Sequence, residues 1–574
     1  MRFKCKIIYF FKEILYVLNN TKTVSLISHI ELEVAAIMEA GADDISGLLP
    51  LVGGAWPPEV EEILQSIKDD SVSGGGDSLF RRILKMREHV APGEHLAEDA
   101  GLGLALYLDD LLPPENRRRW FEETLPSLAG LLLDFPSLLS AHFRLSPRHL
   151  RLRILPAQRP GAVLVSQRLV AALVACSFFC LFPVRRRRDL RLPPVINLDS
   201  LFHSLYQSGS LSLEHKLHCL IHYFRRATSS SSGAGAVSFH RKIIPSPAPP
   251  PLFWSRSNYP LCVLEVHTRG FIEDHPVEAL QVDFANQYLG GGALSRGCVQ
   301  EEIRFMINPE LIAGMIILPR MHDNEAIEVV GAERFSNYTG YASSFRFAGD
   351  HVDTTGVDSS NRRRTRIIAI DALCNPGMRQ YKLDFILRET DKAFCGFSDQ
   401  IESEHFERLF SGSGPQQALR GHSDEHGNHT DAATTCVFKS DESPSTSVAI
   451  GREDEELTSR VADPIGIATG NWGCGAFGGD PELKAMIQWL AASQAMRPVI
   501  AYYTFDIKEL RNLEQVSQWI LLHKWTVGDL WNILVEYSSQ RHKGVAKMGF
   551  FAWLLPFLNS SQETQQLRTC DILP

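Results

Sequence analysis

The chain has 574 residues, of which 44% are hydrophobic and 22% are charged, and its formal net charge is −9 at pH 7. A chain of this length is expected to form about three domains, and its residue balance is that of a globular protein. Proteins that bind nucleic acids over a broad face carry an excess of Lys and Arg, because these residues neutralise phosphates. The charge therefore excludes such a face, and any polyanion must be bound in a local pocket.

Residues 1–37 are predicted to be an N-terminal extension or a targeting segment. Lys12 and Glu13 interrupt their apolar patches, so the segment is a poor signal peptide and is too short to span a bilayer. A second possible start, Met38, comes just before the sequence takes on the pattern of a domain. The sequence leaves open whether residues 1–37 belong to the mature protein.

Residues 38–228 are predicted to form a helical domain. After Pro57-Pro58, apolar residues follow the i, i+3, i+4, i+7 spacing of one helix face. These residues are Val60, Ile63, Leu64 and Ile67. Further helices are predicted over Trp120–Leu133 and Leu169–Leu181. The apolar stretch Val163–Phe182 is interpreted as a buried helix rather than a membrane span, because Gln167 and Arg168 interrupt it.

Cysteine and arginine patterns give little sign of a metal or nucleic-acid site. The eleven cysteines include no Cys-x-x-Cys pair, and Cys176 and Cys180 have no second pair nearby, so we expect reduced, buried thiols. Arg185–Arg188 is predicted to be a solvated loop, with a nuclear import signal as the alternative. The Ser- and Gly-rich segment Ser229–Gly235 predicts a hinge.

Residues 229–515 are predicted to form an α/β domain. Short apolar runs alternate there with helical stretches, which is typical of that class. The runs are Leu261–Val266, Ala326–Val330 and Arg366–Ile370. Residues 411–460 contain few apolar residues and are predicted to be a disordered insertion. We interpret its histidines as part of a flexible loop rather than a metal site; they are His422, His426 and His429.

The C-terminal residues 516–574 are predicted to be a helical extension that packs on the α/β domain. Aromatic residues and leucines are frequent in Trp519–Tyr537 and Phe550–Leu558, which we predict to be helices.

A first glycine-rich loop contains Gly290, Gly291 and Gly292 and precedes a predicted helix start at Gln300. Consecutive glycines lose much backbone entropy on folding, so a tight turn or the close approach of a ligand is expected there. Amides that lead into a helix N-terminus suit a phosphate. A purely structural loop is the alternative.

A second glycine-rich loop, Gly470–Asp480, is also followed by a predicted helix. Asp480 has the character of an N-cap, and Pro481 suits the first helical position. A strand is predicted over Val499–Phe505. Two such loops fit a diphosphate held from both sides.

Glu301 and Glu302 are candidates for acid–base chemistry. As neighbours on a helix their side chains point about 100° apart, so they cannot face each other across a bond. We predict that one transfers protons and the other orients the substrate, and that the adjacent charges raise the pKa of a carboxyl. The alternative is a favourable interaction with the helix dipole alone.

The order of these motifs closely resembles the signature of the poly(ADP-ribose) glycohydrolases, particularly the plant-type enzymes. The resemblance is strong over roughly residues 250–515 and rests on Val282–Asn286, Gly290–Gly292, Gln300–Phe305, Asn308–Leu311, Tyr338–Tyr341, Ile370–Leu373, Ala393–Gly396 and Gly470–Asp480. In the preceding helical region, Trp56–Pro58 and Phe179–Pro183 resemble the accessory domain of that family. The resemblance implies an α/β, macrodomain-like mixed sheet flanked by helices, preceded by an all-α accessory domain.

The resemblance also implies roles for particular residues. Glu302 would be the general acid and base, Glu301 would hold ribose hydroxyls, and Asp283 and Asn286 would organise the same corner. The remaining residues implied to bind substrate are Ile272 and Glu273 at the adenine, Phe505 stacked on it, Asn471 and Phe477 at the ribose, Gln300 in the signature, and Gly290, Gly291, Gly292, Gly473, Gly475, Ala476, Phe477 and Tyr341 at the diphosphate.

The implied reaction is hydrolysis of ribose–ribose O-glycosidic bonds in poly(ADP-ribose) on modified proteins, with release of ADP-ribose and without a metal or cofactor. A monomer in the nucleus, the cytoplasm or both is expected, with no direct contact to DNA or a membrane. A macrodomain that binds ADP-ribose without cleaving it is the alternative, and a scaffold with a vestigial cleft is a third hypothesis. The preference for internal or terminal bonds stays open.

Overall fold

The computed structural model describes residues 43–69, 75–184, 193–229, 235–244, 251–399 and 465–555. The predictions for residues 1–37, for Arg185–Arg188 and for the insertion 411–460 with its three histidines lie outside these ranges. Most of the predicted hinge Ser229–Gly235 also lies outside them.

The first part of the chain is mainly helical, as its apolar spacing predicts. The helices are α1 (Pro58–Asp69), α2 (Gly75–Val90), α3 (Ala100–Ala105), α4 (Pro114–Arg119), α5 (Leu125–Leu145), α6 (Gln167–Phe178), α7 (Asp199–Ser208) and α8 (Leu211–Ala227). Two π-helical stretches, Leu106–Leu111 and Trp120–Thr124, continue α3 and α4. Every residue of α6 from Leu169 onward is buried, which fits its apolar composition.

The prediction of one helix from Val163 onward is wrong at its start. Residues Gly161–Ser166 form strand β1, and the helix begins only at Gln167, where the Ser166 side chain accepts a hydrogen bond from the Leu169 amide. β1 pairs antiparallel with Ala236–Ile243, about 70 residues farther along the chain. A run of six residues is too short for its period to distinguish a strand from a helix, so the pairing decides.

An eight-stranded mixed sheet forms the centre of the molecule, and this confirms the predicted fold class. Its strands are β1 (Gly161–Ser166), β2 (Ala236–Ile243), β3 (Val263–His267), β4 (Ala279–Ala285), β5 (Glu325–Val330), β8 (Arg366–Asp371), β9 (Gly466–Gly470) and β10 (Val499–Tyr503), and β6 (Ser336–Thr339) and β7 (Arg346–Asp350) form a separate hairpin. The order across the sheet is β1-β2-β5-β8-β4-β9-β10-β3. Pairing is antiparallel from β1 to β8 and parallel from β8 to β3.

Alternating side chains of the sheet enter two different cores. On β8, Ile367 and Ala369 join the core shared with the helical region, whereas Ile368 and Ile370 join a second core. The later helices are α9 (Pro251–Ser255), α10 (Gln300–Ile307), α11 (Leu383–Phe397), α12 (Pro481–Gln494), α13 (Leu513–Leu522) and α14 (Val527–His542). Helix α10 packs on the first core, and the other five cover the second core. The helical region therefore packs directly on one face of the sheet.

In the C-terminal region, the helical character predicted over Trp519–Tyr537 is divided between α13 and α14. The chain turns between α13 and α14, because the Thr526 hydroxyl accepts from the Asp529 amide at 3.2 Å and so begins a new helix. Trp531 of α14 stacks on Trp254 with ring centroids 5.7 Å apart. The two helices thus pack on the second core.

One helical stretch in the described ranges, Pro114–Leu145, is long and apolar enough to cross a membrane. Within it, Leu128, Leu132 and Phe135 are buried in the first core. A core helix passes the same length and composition test, so this stretch is weak evidence for a span.

Candidate active site

The parallel part of the sheet brings the two glycine loops together. β4 and β9 are neighbours and parallel, so their carboxyl ends lie at the same edge. The chain leaving β4 after Ala285 leads into residues 286–299, here called the first glycine loop. The chain leaving β9 after Gly470 forms residues 471–479, the second glycine loop. The candidate site lies between them.

Gln300 holds the start of α10 against β4. Its carboxamide oxygen accepts from the Phe284 amide at 2.8 Å, and its nitrogen donates to the Val282 carbonyl at 3.1 Å. Both polar ends of the side chain are thus occupied by the strand backbone. Gln300, which is predicted to contact substrate, orients the helix that carries the glutamates.

The two glutamates turn back over the first glycine loop. Glu301 accepts from the amides of Asn286 at 2.9 Å and Gly290 at 2.6 Å. Glu302 accepts from the amides of Gly292 at 2.9 Å and Val299 at 2.8 Å. The amide of Val299 precedes the helix and has no intrahelical acceptor, so Glu302 satisfies it as the third residue of the helix.

The amides of the first glycine loop are therefore used inside the protein. Gly290 and Gly292 donate to the glutamates, and Gly291 donates to the Tyr288 carbonyl at 3.1 Å. This differs from the expectation that these amides bind a diphosphate. A Cβ on Gly291, whose φ is +49°, would lie 2.6 Å from Glu301 Oε2 and 2.8 Å from Glu302 Oε1. Glycine is needed here because the carboxylates lie directly against the backbone.

Asp283, on β4, is a third buried carboxyl at this corner. It is 1% exposed, and neither of its oxygens has a hydrogen-bond partner in the described part of the chain. Burial raises the pKa of Asp283 to about 7, Glu302 adds to the rise, and Arg304 opposes it. Burial, Asp283 and Glu302 likewise raise the pKa of Glu301 well above its usual value. At both Asp283 and Glu301 burial is the main cause of the raised pKa, and the neighbouring carboxyls add to it.

The second glycine loop offers free donors. Its shape is held by hydrogen bonds from the amides of Gly479 to Gly473, at 2.9 Å, and of Asn375 to Phe477, also at 2.9 Å. The amides of Gly475, Ala476 and Phe477 donate to no acceptor among the described residues, and Gly475 and Ala476 are exposed. Asp480 accepts from the amides of residues 482 and 483 and caps α12, as predicted. This loop can bind an anion through its backbone.

The residues predicted at the adenine and ribose line the same edge of the sheet with different exposures. Ile272 is buried against Tyr503, and Glu273 accepts from the Tyr338 hydroxyl at 2.5 Å. Phe505 is 46% exposed and lies 6.1 Å from Phe271, ring to ring.

Asn471 and Tyr341 complete the predicted set. The Asn471 side chain donates to the Thr504 carbonyl at 3.0 Å, which joins the second glycine loop to the chain after β10. Tyr341 lies exposed on the turn between β6 and β7. Although the residue as a whole is exposed, partial burial of its hydroxyl raises the Tyr341 pKa, the Gln300 amide opposes the rise, and the charge of Glu302 adds to it.

Sequence reasoning missed Lys216 on α8 and Arg304 on α10. Arg304 is buried, donates to Gln281 at 2.5 Å, and its charge opposes the rise of the Asp283 pKa. Lys216 is buried on the helix face that carries Leu213 and Leu217. A lysine at helical spacing among leucines is a signal that the sequence contains, but it does not say which group the amine contacts.

Comparison with known proteins agrees with this architecture. The family model described as poly (ADP-ribose) glycohydrolase, macro domain fold, matches residues 252–512, and the helical-domain model of the same family matches residues 112–241. Poly(ADP-ribose) glycohydrolase 1 of Arabidopsis thaliana is 50% identical over 532 residues, covering 89% of this chain and 95% of the relative.

Two further relatives are also named as poly(ADP-ribose) glycohydrolases. Probable poly(ADP-ribose) glycohydrolase 2 of Arabidopsis thaliana is 45% identical over 549 residues, covering 91% of this chain and 100% of the relative. Poly(ADP-ribose) glycohydrolase 1 of Caenorhabditis elegans is 31% identical over 418 residues, covering 71% of this chain and 44% of the relative.

Proposed function

Because the chain belongs to the poly(ADP-ribose) glycohydrolase family, we propose that Glu302 is the general acid and base of its reaction. The protein is a glycoside hydrolase that acts on poly(ADP-ribose). The observation that carries the assignment is the position of the Glu302 carboxyl, which lies at the start of α10 against the backbone of the first glycine loop. Each of its oxygens accepts one backbone amide and keeps a second lone pair for a proton or a substrate hydroxyl.

In the proposed mechanism, Glu302 donates a proton to the departing ribose 2′-oxygen as the bond from that oxygen to the anomeric carbon breaks. The electron pair of the bond stays on the oxygen, and the anomeric carbon becomes an oxocarbenium ion. Water then attacks this carbon and gives a proton back to Glu302, so that ADP-ribose leaves and the carboxyl is restored.

The substrate diphosphate would bind at the free amides of Gly475, Ala476 and Phe477. Its negative charge then lies near the oxocarbenium ion and stabilises it without any rearrangement of the backbone. This site differs from the expectation that both glycine loops bind the diphosphate, because the amides of Gly290 and Gly292 already donate to the glutamates.

Asp283 and Glu301 would tune the site. Three carboxyls so close together cannot all be charged in a buried pocket without strong repulsion. Burial raises the pKa of both Asp283 and Glu301, so this cluster keeps protons to a higher pH than isolated carboxyls do. A retained proton reduces the repulsion between the carboxyls, and Glu301 would hold ribose hydroxyls.

The test is incubation of labelled poly(ADP-ribose) with the wild-type protein, Glu302→Gln and Glu301→Gln. We expect Glu302→Gln to abolish release of monomeric ADP-ribose while ADP-ribose binding, measured by calorimetry, persists. Glu301→Gln is the matched control for the loss of one charge. Unlike Glu302→Gln, it is expected to weaken the binding of ADP-ribose. Near-wild-type hydrolysis by Glu302→Gln would refute the assignment, whereas an inactive wild-type protein would contradict the activity itself.

The alternative of a non-catalytic reader is not favoured, because the relatives with high identity are glycohydrolases. We further propose that the protein acts as a monomer, without direct binding to DNA or a membrane, in the nucleus, the cytoplasm or both. The net charge of −9 supports the absence of DNA binding. Light scattering of the purified chain tests the monomer, and a fluorescent fusion with Arg185–Arg188 replaced by alanine tests nuclear import.

A further inference from the structure

Lys216, on helix α8 of the helical region, reaches into the first glycine loop. Its amine donates to the carbonyl oxygens of Ser295 at 2.8 Å, Gly297 at 2.6 Å and Gly292 at 3.3 Å. The side chain is fully buried. An ammonium group has three N–H donors, so the three carbonyls match its full capacity.

Two of these carbonyls depend on the lysine. Within the described ranges, the carbonyls of Ser295 and Gly297 accept from no group other than Lys216. The Gly292 carbonyl also accepts from the amides of Ser295 and Gly297. Burying an ammonium group without partners is strongly unfavourable, so a lysine with no compensating role would not be expected at this position.

The same loop residues contact the catalytic carboxyl. The Gly292 amide donates to Glu302 Oε1, and a Cβ on Gly297 would lie 2.6 Å from that same oxygen. Lys216 therefore binds carbonyl oxygens of the loop, and Glu302 accepts from the Gly292 amide and leaves no room for a Cβ at Gly297. A shift of this loop would move the Glu302 carboxyl with it.

We propose that Lys216 is a positioning residue for the glycohydrolase reaction, which holds the first glycine loop in the place that aligns Glu302. The inference rests on the proposed role of Glu302. It makes the helical region part of the catalytic apparatus, because α8 supplies the amine across the junction with the α/β domain. The sequence separates this lysine from Glu302 by 86 positions.

The experiment compares Lys216→Met, which removes all three donors, and Lys216→Gln, which keeps two, with the wild-type full-length chain. We expect kcat to fall by roughly 10- to 100-fold in Lys216→Met, since a misplacement of about 1 Å at a catalytic group has an effect of that order. Lys216→Gln is expected to lie between the two. KM and ADP-ribose affinity are expected to stay within about twofold, because Lys216 acts on Glu302 rather than on the substrate.

Lys242→Met is the matched control. Lys242 is also buried and donates to two carbonyls, those of Gly396, at 2.9 Å, and Ser398, but it lies on β2 away from the site. Its acidic neighbour Glu328 keeps an ion pair with Arg366 at 2.6 Å. This control is expected to lower the melting temperature and leave kcat unchanged.

The outcomes distinguish the proposed function from the positioning role of Lys216. Activity in the wild type and its loss in Glu302→Gln test the proposed function without reference to Lys216. With those in hand, a wild-type kcat in folded Lys216→Met, or an equal loss of kcat in Lys242→Met, would overturn the positioning role. If both Lys216 variants fail to fold while Lys242→Met folds, the lysine is structural and the proposal also falls.

Discussion

Gly297 lies against the carboxyl group of Glu302, so that a Cβ on this glycine would stand 2.6 Å from Oε1 and 2.7 Å from Cδ. Real Cβ contacts are longer than 3.0 Å, so any side chain at position 297 must displace the glutamate or the loop. The requirement is for space, since Gly297 is not among the glycines with positive φ.

Gly297→Ala is therefore expected to lower kcat by roughly 10- to 100-fold through displacement of Glu302. Steady-state kinetics on poly(ADP-ribose) measures the effect. The control is Gly356→Ala, where the nearest atom to the new Cβ would be 3.8 Å away. Equal kinetics for the two variants would show that the contact with Glu302 does not matter.

Asp283→Asn should change how stability depends on pH. The pKa of Asp283 is about 7 in the fold and 3.8 without it, so its contribution to the free energy of unfolding is fully present below pH 3.8 and is lost as pH rises through 7. Asparagine cannot lose a proton in this pH range, so the variant lacks this dependence. Denaturant unfolding at pH 4 and pH 8 is expected to show a smaller loss of stability in the variant than in the wild type.

Asp391→Asn provides the control for catalysis. The Asp391 pKa is also raised to about 7 by burial, but this carboxyl accepts from the Trp254 indole at 2.9 Å in the second core. Both variants are expected to flatten the pH dependence of stability, and only Asp283→Asn to lower kcat. Equal activity of the two variants would argue against a catalytic part for Asp283.

Asp480→Ala should weaken both the fold and the binding of ADP-ribose. The side chain accepts from the amides of Glu482 at 2.9 Å and Leu483 at 3.1 Å, so its removal costs about 1 kcal/mol. It also ends the second glycine loop, whose free amides are the proposed diphosphate site. Thr526→Ala removes an equivalent cap at α14. Calorimetry should find weaker ADP-ribose binding in Asp480→Ala alone, and similar thermal shifts in both.

Phe505→Ala tests the proposed adenine contact. Stacking of a base on an aromatic ring is worth about 1–3 kcal/mol, so we expect ADP-ribose to bind roughly 5- to 150-fold more weakly. Tyr206→Ala removes an aromatic ring of similar exposure, 44% against 46%, from helix α7. If both variants bind ADP-ribose like the wild type, Phe505 does not stack on the base.

Much of the fold could be predicted from local patterns. The three apolar runs of the α/β region became β3, β5 and β8, and the cap at Asp480 begins a helix as predicted. Where the period was short or interrupted the predictions failed. The apolar stretch from Val163 predicts a helix where strand β1 forms, and the helical pattern over Trp519–Tyr537 does not show the turn before Thr526. In both places contacts with distant residues or one capping hydroxyl outweigh the local pattern.

The sequence by itself determined the family, the order of the elements and the chemical groups of the site. Each glycine loop, helix cap and glutamate pair consists of residues that are neighbours in the chain, so the sequence shows them directly. Only the tertiary structure decided which of these groups are free. It shows the amides of Gly290 and Gly292 bonded to glutamates, those of the second glycine loop available, Asp283 without a partner among the described residues, and Lys216 beneath the first loop. Hydrogen-bond partners and burial depend on residues far apart in the chain, and no local pattern records them.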